Sequence, residues 1–415
     1  MTLPREPAGK LHGAPRPVVR EAVAVGEPLP GTTGFAGELD GQLVRDVLGR
    51  VPLYVERSVV SGSRESPESD GSESVSPGAR EPADSGGCEA VTSGGHESTD
   101  ATWAFSPREL TDPTLVPPGS VGPPGAPERV WQLPDPAPDT DRDRALDRLD
   151  AAICASAAGV DSDGLAVAFS GGLDSAVLAA LVAAPLYVVG FPDGADVEAA
   201  REAADAMGRM DDLRVRELDL DRVERAVPTV ASAIGRTNAM DVGIGLSLNL
   251  VAEAAADDGY DRLLLGQGAD ELFGGYEKVQ RLDHRVEADT VRGAVREQIA
   301  SLSSQLPRDV LAIDAAGVDP VTPYLQDEVV RAALSLPTEL LVSEGIRKRG
   351  LRLVGGRHLP ESVASREKKA IQYGSQVARE LDRLARRAGY KRRMDGHVRT
   401  YVESRLAESD HKGSL

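Results

Sequence analysis

The sequence predicts an α/β protein: an open parallel sheet with a helical C-terminal part, preceded by a small β-rich region. Three observations predict it. From about residue 140, apolar stretches of strand length alternate with stretches of helix length, the pattern of right-handed crossovers between parallel strands. Beyond about residue 276 the pattern is mainly helical. Before residue 57 the chain instead shows short β-like runs punctuated by Gly and Pro.

Residues 1–56 carry runs such as GELDGQLVRDVLGRVPLYVE. Residues 57–101 are dominated by Ser, Gly, Glu and Asp (SRESPESDGSESVSPG) and bury too little apolar surface to offset chain entropy, so disorder is expected there. Residues 102–138 return to short strands and Pro-rich turns, as in TWAFSP and VPPGSVGPPG. The long domain, 139–415, then alternates regularly. DRDRALDRLDAAICASAA reads as an amphipathic helix, GLAVAFS as a buried strand and DSAVLAALVAA as a helix. PLYVVGF is the next strand, DVEAAREAADAMG a helix, LRVRELDL a strand, LSLNLVAEAAADDG a helix and YDRLLLGQG a fourth strand.

The 415 residues include 41% hydrophobic but only 4% aromatic residues, so Leu, Val and Ala must fill the core. A net charge of −19 counts against a general affinity for nucleic acid. Only seven of the 47 basic residues are Lys. An acidic, Lys-poor surface suits high salt, so a halophilic source is expected. Cys88 and Cys154 form no CxxC, and the six His residues show no metal-ligand spacing, so neither a disulfide framework nor a thiolate zinc site is indicated. No apolar run reaches 18 residues and the first ten lack the apolar segment of a signal peptide, so a cytoplasmic protein without membrane association is expected.

In LAVAFSGGLDSAVLAALV an apolar strand enters Ser170–Gly171–Gly172–Leu173–Asp174–Ser175 and a helix leaves it. The two glycines permit a tight turn and close backbone approach. The amides at the helix start and the hydroxyls of Ser170 and Ser175 favour bound phosphate. Asp174 would repel bare phosphate, and makes sense if it holds Mg²⁺ that bridges phosphate oxygens. The loop is not the GxxxxGK[ST] type. A Gly-rich turn with Asp174 as a helix cap is the plainer reading of these six residues alone.

YDRLLLGQGADELFGGYEK repeats the logic: a strand ends at Leu265, Gly266 and Gly268 open the turn, and Asp270 and Glu271 follow. Ligands bind at this edge of open α/β sheets, so Asp174 and Asp270 are expected to face one metal–pyrophosphate group. A helix cap is again the alternative for Asp270.

SGGLDS, VVGFPDGADVEAAREAA and GQGADELFGGY, in that order, resemble the synthetase domain of asparagine synthetases. PRDVLAIDAAGVDPVTPYLQDEVVRAALSLP and IRKRGLRLVGGRHLPESVASREKKAIQYGS are similar to the family's later segments, the second to its K–LR–LP–R–K ending. The resemblance covers about residues 140–385. It implies an adenine-nucleotide α-hydrolase-like (PP-loop) fold, with ATP and Mg²⁺ as cofactors. It also implies a chemistry: a carboxylate, expected to be the aspartate side chain, attacks the α-phosphorus, giving an acyl-adenylate (β-aspartyl-AMP) and pyrophosphate, and ammonia displaces AMP. By position in the motif Lys368, with Lys369 and Arg366 near it, is the counter-charge at the α-phosphate. Phe169 and Val189 would line the adenine pocket, with ordinary strand core as the equal alternative.

GELDGQLVRDVLGRVPLYVE also looks like the strand–RDxxGxxPLYY segment of class II glutamine amidotransferase domains, and TWAFSPRELTD and VPPGSV fit its following pieces. That domain uses an N-terminal cysteine; here position 2 is Thr2. Residues 1–138 are therefore expected to be a degenerate remnant without glutaminase activity, the nitrogen coming from free ammonia or a separate glutaminase. GQGADE departs from the family's GEGSDE: Gln267 stands for a glutamate that positions or deprotonates the amine, and Gln cannot take a proton. Asp319 and Val321 stand where the family has Glu and Arg. These departures bear on the identity of the carboxylate more than on adenylation. They leave as alternatives an amide synthetase of another carboxylate or amine, resembling β-lactam synthetase, and a non-catalytic nucleotide-binding paralogue.

Overall fold

The computed structural model describes residues 11–57, 102–192, 194–366 and 376–413. Apart from Arg57, the run expected to be disordered lies outside the described residues, as do Thr2, Lys368 and Lys369.

The N-terminal region is antiparallel. Its larger sheet runs β1 (Leu11–His12), β2 (Ala36–Leu39), β3 (Gln42–Arg45), β7 (Ser120–Gly122), β8 (Glu128–Arg129). The β2–β3 hairpin turns on Asp40 and Gly41, whose φ values of 52° and 82° are those of the mirror-image turn that Asp-Gly favours. β3 pairs next with β7, so strands from before and after the low-complexity run share one sheet. A second sheet joins β4 (Tyr54–Glu56) to β5 (Trp103–Ala104) and β6 (Pro113–Leu115). Leu43, Leu53, Trp103, Phe105 and Val116 are buried together between them.

The motif RDVLGR is spent on this architecture. Asp46 accepts from the amides of Leu48 and Arg50, closing the turn. Buried Arg45 donates to the carbonyls of Val51 at 3.1 Å and Gly49 at 2.8 Å, and also to that of Val116. Gly49 has φ 64°, and a Cβ there would lie 2.7 Å from the Arg45 guanidinium.

The central sheet is wholly parallel, in the order β11 (Leu213–Glu217), β10 (Leu186–Gly190), β9 (Leu165–Ala168), β12 (Arg262–Leu264), β13 (Asp319–Val321). Leu165, Val167 and Phe169 bury into one core and Ala166 into the other, the two-residue alternation of a sheet covered on both faces. On the first face the helix Arg142–Ala158 lays down Ala145, Leu146, Leu149, Ile153 and Ala157, a stripe at helical spacing. On the other lies Ala239–Ala256, the one described helix long and apolar enough to cross a membrane; 67% of it is buried inside the protein.

Three elements were not legible in the sequence pattern. The helix Leu220–Ile234 contains Pro228, and the 24-residue helix Val291–Asp314 contains Pro307. β13 is only three residues with Pro320 at its centre. An edge strand tolerates that proline because one side of its backbone needs no partner.

Chain order along the sheet reverses between β9 and β12. Their C-terminal ends therefore open a crevice, and both glycine loops lie in it.

Candidate functional site

Beyond β9, Phe169 donates its amide to the Tyr187 carbonyl at 2.7 Å and extends the strand by one residue. Its ring is only 1% exposed and belongs to the core, while Val189 on β10 is half-buried. The chain then turns through Gly171 at φ 68°. A Cβ at Gly171 would lie 2.3 Å from the Ala199 carbonyl oxygen, so both conformation and space require glycine. The Ser175 hydroxyl meets the Ser170 amide and hydroxyl, both at 3.2 Å, and folds the loop onto the helix Leu173–Leu181. Gly172 is that helix's N-cap and no side chain caps it. Asp174, in the first turn, is thus not the cap.

Beyond β12 the second loop mirrors this arrangement. Gly268, with φ 85°, is the N-cap of the short helix Ala269–Leu272, again without a side-chain cap, and Asp270 follows. Gly266 faces the first loop: a Cβ there would sit 3.0 Å from Asp174 Cβ. The two aspartates are therefore on touching loops, as the sequence led one to expect.

Between them stands a residue the sequence reasoning passed over. Lys348 Nζ is 2.8 Å from both carboxylate oxygens of Asp174 and 2.5 Å from Asp270 Oδ1. Burial pulls its ammonium toward neutrality, but the charges and hydrogen bonds of Asp174 and Asp270 outweigh burial and hold its pKa above the ordinary lysine value. Lys348 precedes the helix Arg349–His358 with φ 54°, a left-handed backbone that costs a side-chain-bearing residue about 1–2 kcal/mol. Such strain clusters at functional sites. A signal was present: Lys348 is the first lysine of the K–LR–LP–R–K pattern. Gly275 makes room, since a Cβ there would be 2.0 Å from Asp270 Oδ1 and 2.4 Å from Lys348 Cε.

The surroundings are polar and buried. Tyr324 donates its hydroxyl to the Asp174 carbonyl at 2.9 Å. Glu271 is 4% exposed; burial, with the Asp270 charge beside it, pushes its carboxyl up to about 7, against the pull of a 2.5 Å hydrogen bond from the Tyr276 hydroxyl. Gln267 donates its side-chain amide to Asp309, which is 3% exposed and also accepts from Arg308 Nε at 2.7 Å. Arg308 reaches on to Asp241 at 2.8 Å. A glutamate at 267 would press a second carboxylate on Asp309, so Gln267 is matched to this network.

Of the basic cluster predicted near Lys368, only Arg366 is described. It donates to the Ala199 carbonyl at 2.9 Å and pairs with Glu202 at 2.8 Å. It therefore engages the helix Ala195–Ala206, whose Ala199 carbonyl also abuts Gly171. Val321 carries the β13 carbonyl that accepts the Leu265 amide at 2.9 Å, and Asp319 is buried.

Two carboxylates converging on a buried cation, at the edge where strand order reverses, form an oxygen-rich site beside two helix starts that no side chain caps. The aspartates retain 26% and 35% side-chain exposure, so a ligand can reach them.

The asparagine synthase family model matches residues 155–314 and 289–409, more than half of the chain. A Methanocaldococcus jannaschii protein provisionally named glutamine-hydrolyzing asparagine synthetase 1 is 30% identical over 268 residues, 56% of this chain and 49% of that protein. Escherichia coli asparagine synthetase B, named as glutamine-hydrolyzing, is 25% identical over 232 residues, 50% of this chain and 41% of its own. The Triphysaria versicolor glutamine-hydrolyzing asparagine synthetase is 24% identical over 234 residues, 50% and 39%. The chain spans at most about half the length of these relatives. With two glycine loops, paired aspartates and a matched family model, the chain belongs to the asparagine synthase family.

Proposed function

We propose that this chain is an ATP-dependent amide-forming ligase. It adenylates a carboxylate, aspartate being the first candidate, releases pyrophosphate, and passes the acyl group to ammonia with loss of AMP. The observation that carries this reading is the Asp174–Lys348–Asp270 constellation between the two glycine loops. Residues 139–415 form the synthetase domain in this reading, and 1–56 with 102–138 the degenerate amidotransferase-like part.

The Lys348 ammonium sits where three carboxylate oxygens converge, so these oxygens already accommodate a cation. Hard oxygen ligands of this kind suit Mg²⁺, and Asp174 and Asp270 would hold it. When bound, it would neutralise charge on the phosphates. Lys348 would then be released from the aspartates to the phosphates, and the amides of the Leu173–Leu181 helix start, with Ser170, would receive the pyrophosphate oxygens. Lys368 would supply further positive charge at the α-phosphate. Carboxylates are poor electrophiles, and AMP leaves where oxide does not; this is the chemical reason for the first step. Nitrogen would come from ammonia, free or delivered by a separate glutaminase.

Gln267 favours a second reading, an amide synthetase of another carboxylate or amine. Its amide is committed to Asp309 and it cannot act as a base. ATP–pyrophosphate exchange across a panel of carboxylates separates the two. Exchange with aspartate alone supports the first reading and exchange with a different acid the second. ATP binding without exchange for any acid overturns both in favour of a non-catalytic paralogue.

The acidic, Lys-poor composition supports a halophilic protein. Thermal unfolding is expected to shift upward between about 0.1 M and about 2 M KCl; equal stability at the two concentrations would end the idea.

A further inference from the structure

Away from the nucleotide edge, three side chains of metal-ligating type meet where the helix Arg142–Ala158 passes the end of the helix Arg349–His358. Asp150 and Cys154, four residues apart, share one face of the first helix, and His358 is the last residue of the second. Cys154 Sγ lies 3.6 Å from Asp150 Oδ1 and 3.7 Å from His358 Nε2, and Nε2 is 2.7 Å from the same Oδ1. One ring nitrogen thus faces both partners. A Cys–His–Asp nucleophile relay needs the two opposite nitrogens, so this is not one. Three donor atoms of different residues converging on one point is instead what a metal ion requires.

The spacing can be tested against a tetrahedron. With zinc bonds of about 2.3 Å to sulfur and about 2.0 Å to nitrogen and oxygen, the two edges from sulfur are about 3.5 Å and the nitrogen–oxygen edge is about 3.3 Å. The observed sulfur edges match to about 0.2 Å. The third edge is shorter because a proton is shared across it, and it needs to open by only about 0.6 Å when a cation replaces that proton. The outer contacts are also in place. Arg357 holds Asp150 Oδ2 at 2.8 Å, which turns Oδ1 toward the thiol. The same arginine pairs with Asp147 at 2.8 Å, so the carboxylates outnumber it and the cluster stays net negative. The Asp150 and His358 side chains are 18% and 23% exposed, sheltered yet within reach of an ion from solvent.

We propose that Asp150, Cys154 and His358 bind one divalent transition-metal ion of the zinc class, with solvent in the fourth position. The thiol yields its proton as the metal–sulfur bond forms, so each ion bound releases that proton. No sequence spacing announces the site, because His358 arrives from 204 residues downstream of Cys154. Its consequence is positional. His358 ends the helix that Lys348 begins, and ten residues put them about 15 Å apart. The ion would clamp the far end of the helix that presents Lys348.

Cobalt(II) titration of the full chain tests this. One ion per chain is expected, with a near-ultraviolet thiolate-to-cobalt band that zinc abolishes by displacement. Cys154→Ser should lose the band and weaken zinc binding by about 100-fold or more, since loss of even an outer partner costs 10–100-fold. Cys88→Ser should keep both. Unfolding without metal should occur at the same temperature in wild type and Cys154→Ser, which shows that the variant folds. Absence of a stoichiometric band, or a band that survives Cys154→Ser, overturns the proposal.

Discussion

Lys348→Met is expected to lower ATP–pyrophosphate exchange on the order of 10²–10³-fold, the cost of removing one charge-stabilising donor from a preorganised site. The case rests on electrostatics. Lys348 pairs with two carboxylates that lie on touching loops. Without it, Asp174 and Asp270 lose the cation they share, and the positive charge that would follow the phosphates is gone. Methionine keeps most of the stem and the same left-handed backbone, so packing and strain change little. Both aspartates keep partial solvent access, so they can be hydrated, and global stability should fall far less than activity. The measurement is exchange rate beside urea unfolding. A normal exchange rate in Lys348→Met would reduce Lys348 to a structural ion-pair partner and remove the observation on which the functional reading stands.

This residue also marks the limit of what the sequence made legible. The parallel sheet, both glycine loops and the pairing of Asp174 with Asp270 follow from local pattern: apolar runs of strand length, glycines at turns, an acid just after each. Such signals lie within a few residues of the chemistry they announce. Lys348 is 174 residues from Asp174, and reaches it only because the helix Arg349–His358 packs beside the first loop's helix. Gln267 was visible as a departure, but its fit to Asp309 was not, because the partner comes from a different helix. β13 escaped for a different reason. It is short and centred on proline, so propensity argues against it, and its pairing with β12 alone makes it a strand. Phe169 shows the converse, a position singled out as adenine-pocket lining whose ring is buried in the strand core, the alternative weighed equally with it.

Replacing Arg50 by methionine is expected to destabilise the chain by about 3–5 kcal/mol, the range for breaking a buried ion pair by removing one partner. Arg50 is 5% exposed, and Asp46 and Asp327, which it joins, are 0% exposed. Its Nε reaches Asp46 at 2.9 Å and its Nη1 reaches Asp327 at 2.7 Å and the Leu325 carbonyl at 2.6 Å. Burial opposes the charge on Arg50, but the two aspartates outweigh it and hold its pKa above the ordinary value. Without the guanidinium, two carboxylates are left buried with no cation between them. Adding Asp327→Asn to Arg50→Met should recover part of the loss, because it removes one orphaned charge. The effect should also reach the nucleotide edge. Leu325 packs against Gly268, where a Cβ would meet it at 2.3 Å, and the adjoining Tyr324 donates to Asp174. The N-terminal region thus braces the loops that carry the candidate site through Arg50. Urea unfolding of the single and double variants, with exchange measured on the same samples, checks both parts. An unchanged midpoint in Arg50→Met would mean that the clamp contributes no net stability, and the bracing role would fall with it.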